Sequence, residues 1–217
     1  AVLGPAEGQI TLFGTETIAT DPTHARRVAN GLTRLGPMVR ERVMTGFLST
    51  EEEKDLILLR FARRCFDEGP RAVQMLGDPD VHAAFVLERN VNNEVCRFIE
   101  FIRFEEKDGM LGSVIHPKNN VLPLLRGHFC SRLPDEDFLI FDAAHGTALL
   151  RQSGHVQYLA MEHYEPARDA DELNWQALWK RFFHALTIEE RRNAKAQMSH
   201  APKRFWGGMV EMREPYI

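Results

Sequence analysis

The sequence predicts an α+β protein with a helical N-terminal half, a central antiparallel sheet and C-terminal helices. The sheet strands and one packed helix follow the order ββαβββ. Three observations predict this. Helix starts and stops recur at short intervals through residues 20–95. From Cys96 to Met161, short apolar runs alternate with Gly-containing turns. Beyond a polar, Pro-containing connector at 162–171, large apolar residues return every three or four positions. The expected organisation is a helical region over 1–95, an α+β core over 96–161 and a helical cap over 162–217, packed as one unit.

Residues 1–19 read as a loose lead-in. The chain starts abruptly and without Met, as a trimmed or fragmentary product would. Thr20-Asp21-Pro22 is a cap followed by proline at the first turn, and that helix should end near Gly36-Pro37. A short helix follows to about Phe47. Ser49 and Glu52 have capping-box spacing ahead of Leu56, Leu59, Ala62 and Phe66. Gly69-Pro70 stops this helix. Asp78-Pro79 opens another, expected to reach about Arg97.

The run CRFIEFIRFEE reads as the first strand, with Lys107-Asp108-Gly109 as a hairpin turn and MLGSVI as the return. Asn120 can cap a helix burying Leu122, Leu125, Phe129 and Leu133, ended by Pro134. DFLIFD, TALLRQ and HVQYLA complete the sheet, with turns at Gly146 and Gly154. In the C-terminal region, Thr187 and Glu190 form another capping box, and Pro202 opens the last helix.

Composition narrows the function. The chain has 217 residues, 44% hydrophobic and 27% charged, which suits a cored globular protein. No apolar run approaches the roughly 20 residues that span a bilayer, and no secretory signal opens the chain. Cys65, Cys96 and Cys130 are odd in number and far apart, as free thiols in the cytoplasm would be. No phosphate loop, dinucleotide fingerprint or nucleophile elbow occurs. The nine histidines lack metal-ligand spacing, so neither a metal nor another cofactor is expected.

The net charge of −4 is uneven, because the stretch Lys180–Arg204 carries a local +5. Its Lys180, Arg181, Arg191, Arg192, Lys195, Lys203 and Arg204 alternate with Trp179, Phe182 and Phe183. Positive charge beside flat rings suits a nucleic-acid backbone and exposed bases. The spacing of Trp175, Trp179, Phe182, Phe183 and Leu186 instead places most of these rings in the core. Arg191, Arg192, Lys195, Lys203 and Arg204 remain as an exposed basic rim, either binding phosphates or simply solvated.

A second cluster lies centrally. The loop His116, Lys118, Asn119 and Asn120 precedes a helix N-terminus, where free N–H groups favour anions. That helix also carries Arg126, His128 and Arg132. The same residues also read structurally, with Asn120 as a cap, Pro123 as a first-turn residue and Arg132 paired with Asp135 or Glu136. Glu94, Arg97 and Arg103, with Asp142, form either a polar cluster on the sheet or internal salt bridges. The nucleic-acid-binding candidates are thus Lys118, Asn119, Asn120, Arg132, Arg191, Arg192, Lys195, Lys203 and Arg204. The catalytic candidates are Glu94, His128 and Asp142.

The block LWKRFFHALTIEERRN with the later PKRFW resembles a bacterial family described as "probable DNA metabolism protein". RFIEFIRFEEKDG, PKNNVLPLL, DFLIFD and the early QITLFGTE are similar as well, so the likeness runs along nearly the whole chain. Relatives usually begin with a further segment. This chain departs from the pattern at Cys96 (usually His), at His145 (usually a basic residue) and at Ala194 (often Pro). The resemblance implies a DNA-metabolism theme and no settled reaction. It also implies a radical S-adenosylmethionine partner and, through fusions, a uracil-DNA-glycosylase-like partner. The leading expectation is a DNA-binding accessory protein in DNA repair or modification. An enzyme acting on a nucleic-acid base or backbone is the second, and a protein-binding adaptor the third.

Overall fold

The structure is a computed structural model describing residues 19–165 and 170–212, without the side chains at 107, 170 and 189. The expected lead-in, apart from its last residue, and the QITLFGTE segment lie outside the described residues. The fold is α+β. It divides into two compact units between Asn93 and Glu94, taken in turn below.

The first unit is helical: α1 (Pro22–Arg34), α2 (Pro37–Phe47), α3 (Lys54–Glu68), a 3₁₀ turn (Pro70–Gln74) and the start of α4 (Pro79–Phe101). Asp21 caps α1 as expected, its Oδ1 accepting from the amides of Thr23 and His24. Asp78 does the same for Asp80 and Val81. Gly69, at φ +80°, ends α3.

The Ser49–Glu52 box does not form. Ser49 Oγ accepts from Glu51 N at 3.2 Å, and α3 starts later, at Lys54. The Lys54 ammonium donates to the carbonyls of Phe47, the last residue of α2, and of Ser49 just beyond it. The buried row of α3 is Leu58, Phe61 and Cys65, while Leu56, Leu59 and Phe66 are exposed. The segment KDLILLRFARRCF offers two apolar rows at helical spacing, and only one can face the core. That core holds Leu32, Val39, Phe61, Cys65, Val73 and Val81. Arg42 is buried beside it, its Nε 2.7 Å from Glu88 Oε2 and its Nη1 donating to Val73 O.

The second unit contains the sheet. After the end of α4 come β1 (Glu105–Lys107), β2 (Met110–Ile115), α5 (Leu122–Arg132), β3 (Asp137–Asp142), β4 (Thr147–Gln152) and β5 (His155–Ala160). Next are α6 (Ala170–Leu186), a 3₁₀ turn (Glu189–Arg191), α7 (Ala194–His200) and 3₁₀ turns at Lys203–Gly208 and Val210–Met212. The strands lie in chain order, β1-β2-β3-β4-β5. The turns expected at Lys107-Asp108-Gly109 and at Gly154 form as two-residue hairpin turns. Asp108 and Gly109 are at φ 51° and 77°, and Ser153 and Gly154 at 49° and 77°, as a type I′ turn demands.

Several expectations need correction. The sheet is mixed, because β2 and β3 pair in parallel from Met110↔Asp137 to Ile115↔Asp142. The α5 crossover returns the chain to the same end of the sheet, and parallel neighbours follow. Cys96–Phe101 is helix, because Val91, Val95, Phe98 and Ile102 are buried at steps of four, three and four. β1 keeps only three residues. Asn120 does not cap α5; Val121 takes that position with no side-chain bond. Thr187 bonds back to Phe183 O, and Asn193 caps α7 by accepting from Ala196 N. The stretch after Pro202 forms 3₁₀ turns instead of one helix.

Layering otherwise follows the sequence. Leu122, Leu125 and Phe129 of α5 are buried, and Phe104 packs edge-on against Phe129 and Phe138. Leu139, Phe141, Ala148 and Leu150 form a core cluster on β3 and β4, with Val114 and Tyr164 packed against it. The hydroxyl of Tyr164 fills the space that a Cβ at Gly112 would need. Arg151 donates to the carbonyls of Leu133, Pro134 and Glu136 after α5. The aromatic row of α6 is not core: Trp175 is 68% exposed, Phe182 54% and Leu186 64%. Phe205, by contrast, is buried against Phe98 and Phe101. No helix among the described residues is long and apolar enough to cross a membrane.

Burial pushes the Cys65 thiol up to about 11, partly offset by the Arg42 charge. The fold therefore favours the protonated thiol. Its contribution is intact below the ordinary value of 9.0 and is lost as pH rises through about 11. At pH 8, iodoacetamide should modify exposed Cys96 while sparing Cys65, as read by mass spectrometry. Urea-unfolding stability should decline between roughly pH 9 and 11. Equal labelling of the two cysteines in the folded protein would contradict this assignment.

Candidate functional site

Glu94 is the organising residue. It shares a helical row with Phe98 on α4, which carries its carboxylate into the unit's interior. Burying a carboxylate costs several kcal/mol unless donors surround it. Here four N–H groups do so. Oε1 accepts from Lys118 N at 3.0 Å and lies 3.2 Å from Arg204 Nη1. Oε2 accepts from Asn119 N at 2.8 Å and Asn119 Nδ2 at 2.7 Å. A carboxylate offers about four lone-pair sites; here three accept hydrogen bonds and the Arg204 ion pair occupies the remainder. Glu94 is thus placed as a clamp.

The clamp joins two segments distant in sequence, the Lys118–Asn119 loop and the Lys203–Arg204 turn. Further contacts hold that turn. Arg97 Nη1 donates to His200 O at 2.8 Å, and Trp206 Nε1 donates to Ala201 O at 2.7 Å. The Arg204 guanidinium lies 4.7 Å from the Phe205 ring centroid, and Lys203 Nζ 5.9 Å from that of Trp206. Both geometries are cation–π contacts. Lys118 and Lys203 are exposed.

Asp142 forms a separate centre. It is wholly buried at the end of β3. Its Oδ1 accepts from Ala144 N and His145 N, and its Oδ2 lies 2.6 Å from His145 Nδ1. The contact orients the His145 ring through Nδ1, with Nε2 on the side away from Asp142. Ala143 N donates to Ile115 O at 3.0 Å. The Asp142 turn and the His116–Asn119 loop therefore leave from the same end of the parallel pair. The carboxyl ends of parallel strands are where such sheets gather ligand groups.

The structure thus brings together Glu94, Lys118, Asn119 and Arg204. Asn120 is exposed just beyond the loop. The loop amides expected to hold a phosphate are already taken by Glu94, so Lys118 offers its side chain alone. His128 is half-buried with its ring edge-on to Phe129; no hydrogen bond or ion pair among the described residues links it to Glu94 or Asp142. Near α5, burial pushes the Tyr158 phenol up and the Arg126 charge draws it partly back. Arg132 is exposed in the last turn of α5. Arg191 and Arg192 line a groove of their own with Phe183, Leu186 and Ile188, and Lys195 lies exposed on adjoining α7.

Arg97, read from the sequence beside Glu94, instead bonds His200 O and pairs with Glu100. One contributor, His145, was absent from the site candidates. Its signal was the spacing D-x-x-H after an apolar strand, which lets a carboxylate reach both turn amides and ring. Among the described residues, no group of three His, Cys, Asp or Glu side chains gathers as a metal would need.

A family model described as a domain of unknown function, DUF4130, matches residues 52–211. The chain belongs to this DUF4130 family. No curated protein and no solved structure matches it. The DUF4130 match extends from the N-terminal helices to the last 3₁₀ turn, and so includes the clamp and the Asp142 turn.

Replacing Glu94 by Ala leaves the Lys118 and Asn119 amides without an acceptor, at about 1–3 kcal/mol per unsatisfied group. Amide hydrogen exchange at both residues should accelerate by about tenfold or more. Unchanged protection at both would show that Glu94 does not hold the loop.

Proposed function

We propose that this DUF4130 protein binds DNA as an accessory factor in bacterial DNA repair or modification. The observation carrying this reading is the Glu94 clamp. It draws the Lys118 loop and the Lys203–Arg204 turn to one carboxylate, so two cation-bearing segments act from one place. Filling the carboxylate's lone pairs internally leaves the Lys118 and Lys203 ammonium groups for outside partners. Lysines so placed suit phosphates, each neutralised phosphate releasing counterions. The resemblance to "probable DNA metabolism protein" sequences supports the theme. It also supports a radical S-adenosylmethionine partner, alongside a uracil-DNA-glycosylase-like protein. Asn119 acts here as part of the clamp. Arg191, Arg192 and Lys195 extend the interface in this reading, with Asn120 and Arg132 as outlying contacts.

The double change Lys118→Ala, Lys203→Ala spares the clamp. It should weaken binding to a DNA oligonucleotide without sequence preference. The slope of log K against log salt should fall by about two. An unchanged affinity and slope would remove this surface from the interface.

The Asp142–His145 pair favours a second reading, in which the protein acts on a nucleic-acid base or backbone. A buried carboxylate that fixes an imidazole tautomer is the arrangement used to orient a general base. It would displace the candidate set of Glu94, His128 and Asp142 in favour of Asp142 and His145. Under this reading, His145→Ala abolishes turnover of a DNA substrate while leaving affinity intact. Turnover that survives the change would rule out the pair as its source.

A further inference from the structure

Arg204, besides pairing with Glu94, lines a cavity of about 250 Å³ in the second unit. Phe98, Phe101 and Phe205 supply aromatic walls, and Gly207 and Gly208 line another side without side chains. The cavity also borders Ser113–Ile115 of β2. β1 pairs only with Met110–Gly112, so it stops short of that stretch of strand edge. The polar lining includes the buried Glu105, with Arg103, His116 and Arg204 as basic groups.

Volume and lining restrict the occupant. A dry apolar cavity of about 150 Å³ takes a benzene ring. The larger space here suits one fused planar ring system and excludes a dinucleotide. Aromatic walls favour a flat π-face. Beyond β1, a strand edge offers backbone N–H and C=O groups together. That mixture matches the edge of a heterocycle carrying donors and acceptors together. Among the described residues, the Arg204 contacts use Nη1 and the guanidinium face, which leaves other N–H donors for an anion.

We infer that this cavity takes a single nucleobase, with Arg204 disposed toward the attached phosphate. The base comes either from a DNA strand, extruded or unpaired, or from a free nucleoside or nucleotide. The DNA source rests on the DNA-binding reading above; the cavity's chemistry does not. Extrusion costs a few kcal/mol, and least for a mismatched or damaged base. A base pocket beside a basic clamp would therefore tie sequence-independent binding to defective sites.

Gly208 provides the test. Among the described residues, a Cβ there meets only Phe101 O, at 3.9 Å, and its φ lies outside the left-handed region. Gly208→Leu therefore fills space, and Gly208→Ala is a milder companion. Neither variant removes a donor of the Glu94 clamp or either of the two lysines. The wild-type protein is titrated with deoxyadenosine, deoxyuridine and their monophosphates while amide shifts are followed. An oligonucleotide with a central 2-aminopurine is titrated in parallel, with fluorescence and affinity both recorded.

The expected result is shifts concentrated at Ser113, Val114, Gly207 and Gly208, and a 2-aminopurine signal that changes on binding. Gly208→Leu should lower nucleoside affinity at least tenfold and remove the fluorescence change, with the salt slope of oligonucleotide binding kept. Gly208→Ala should fall between. Nucleoside binding at the cavity without oligonucleotide binding would uphold the pocket, assign it to free nucleosides and defeat the DNA reading. Salt-dependent oligonucleotide binding with no nucleoside shifts and no fluorescence change would defeat the pocket and leave the DNA reading standing. Shifts confined elsewhere in the wild-type protein would also overturn the inference, and that measurement needs no variant to fold.

Discussion

One filled carboxylate governs the arrangement of the second unit. Glu94 is buried, and only a complete set of donors makes that burial tolerable. Lys118, Asn119 and Arg204 supply the set, so each segment carrying a donor is constrained by the same requirement. The loop after β2 must turn its amides toward α4. The turn after α7 must bring Arg204 inward, and Phe205 then reaches the rings of Phe98 and Phe101. Withdrawing one participant strands the others, so the constraint acts collectively.

Local chemistry was the most legible part of the fold. Asp21 and Asp78 read as caps because a short carboxylate ahead of a proline has few other tasks. Asp108-Gly109 and Ser153-Gly154 lie in turns that demand positive φ. What depended on tertiary choice was less legible. The segment after Cys96 has aromatic and β-branched residues fit for a strand, yet a burial row at helical spacing prevails. Likewise α3 carries two apolar rows, and the core selects between them. The parallel β2–β3 pair follows from the crossover direction, which no residue between the strands encodes by itself.

The site was legible as parts and illegible as a partnership. Glu94, Lys118, Asn119 and Arg204 each stood out by residue type. Nothing local shows that a carboxylate and an amide 24 residues on share a bond, or that an arginine over a hundred positions away joins them. The Lys118–Asn120 loop looked like a free anion cradle because the residue occupying its amides lies on another element. The tryptophans of α6 misled in the opposite direction. Their spacing records a helix face, and a face at core spacing still needs something to cover it. Asp142 was visible as a strand-ending acid, but its bond to His145 required the turn geometry.

Arg204 serves two masters, a carboxylate 3.2 Å from its Nη1 and a phenyl ring whose centroid lies 4.7 Å from its guanidinium carbon. Lysine offers a point charge with no flat face, and so can satisfy either but not both. Positions 94 and 204 are therefore bound in descent. An acid kept at the first obliges an arginine at the second, and loss of the acid releases the arginine together with the aromatic packing beneath it. The two should change together or not at all as the sequence drifts, leaving a coupled pair more than a hundred residues apart as the evolutionary imprint of one buried charge.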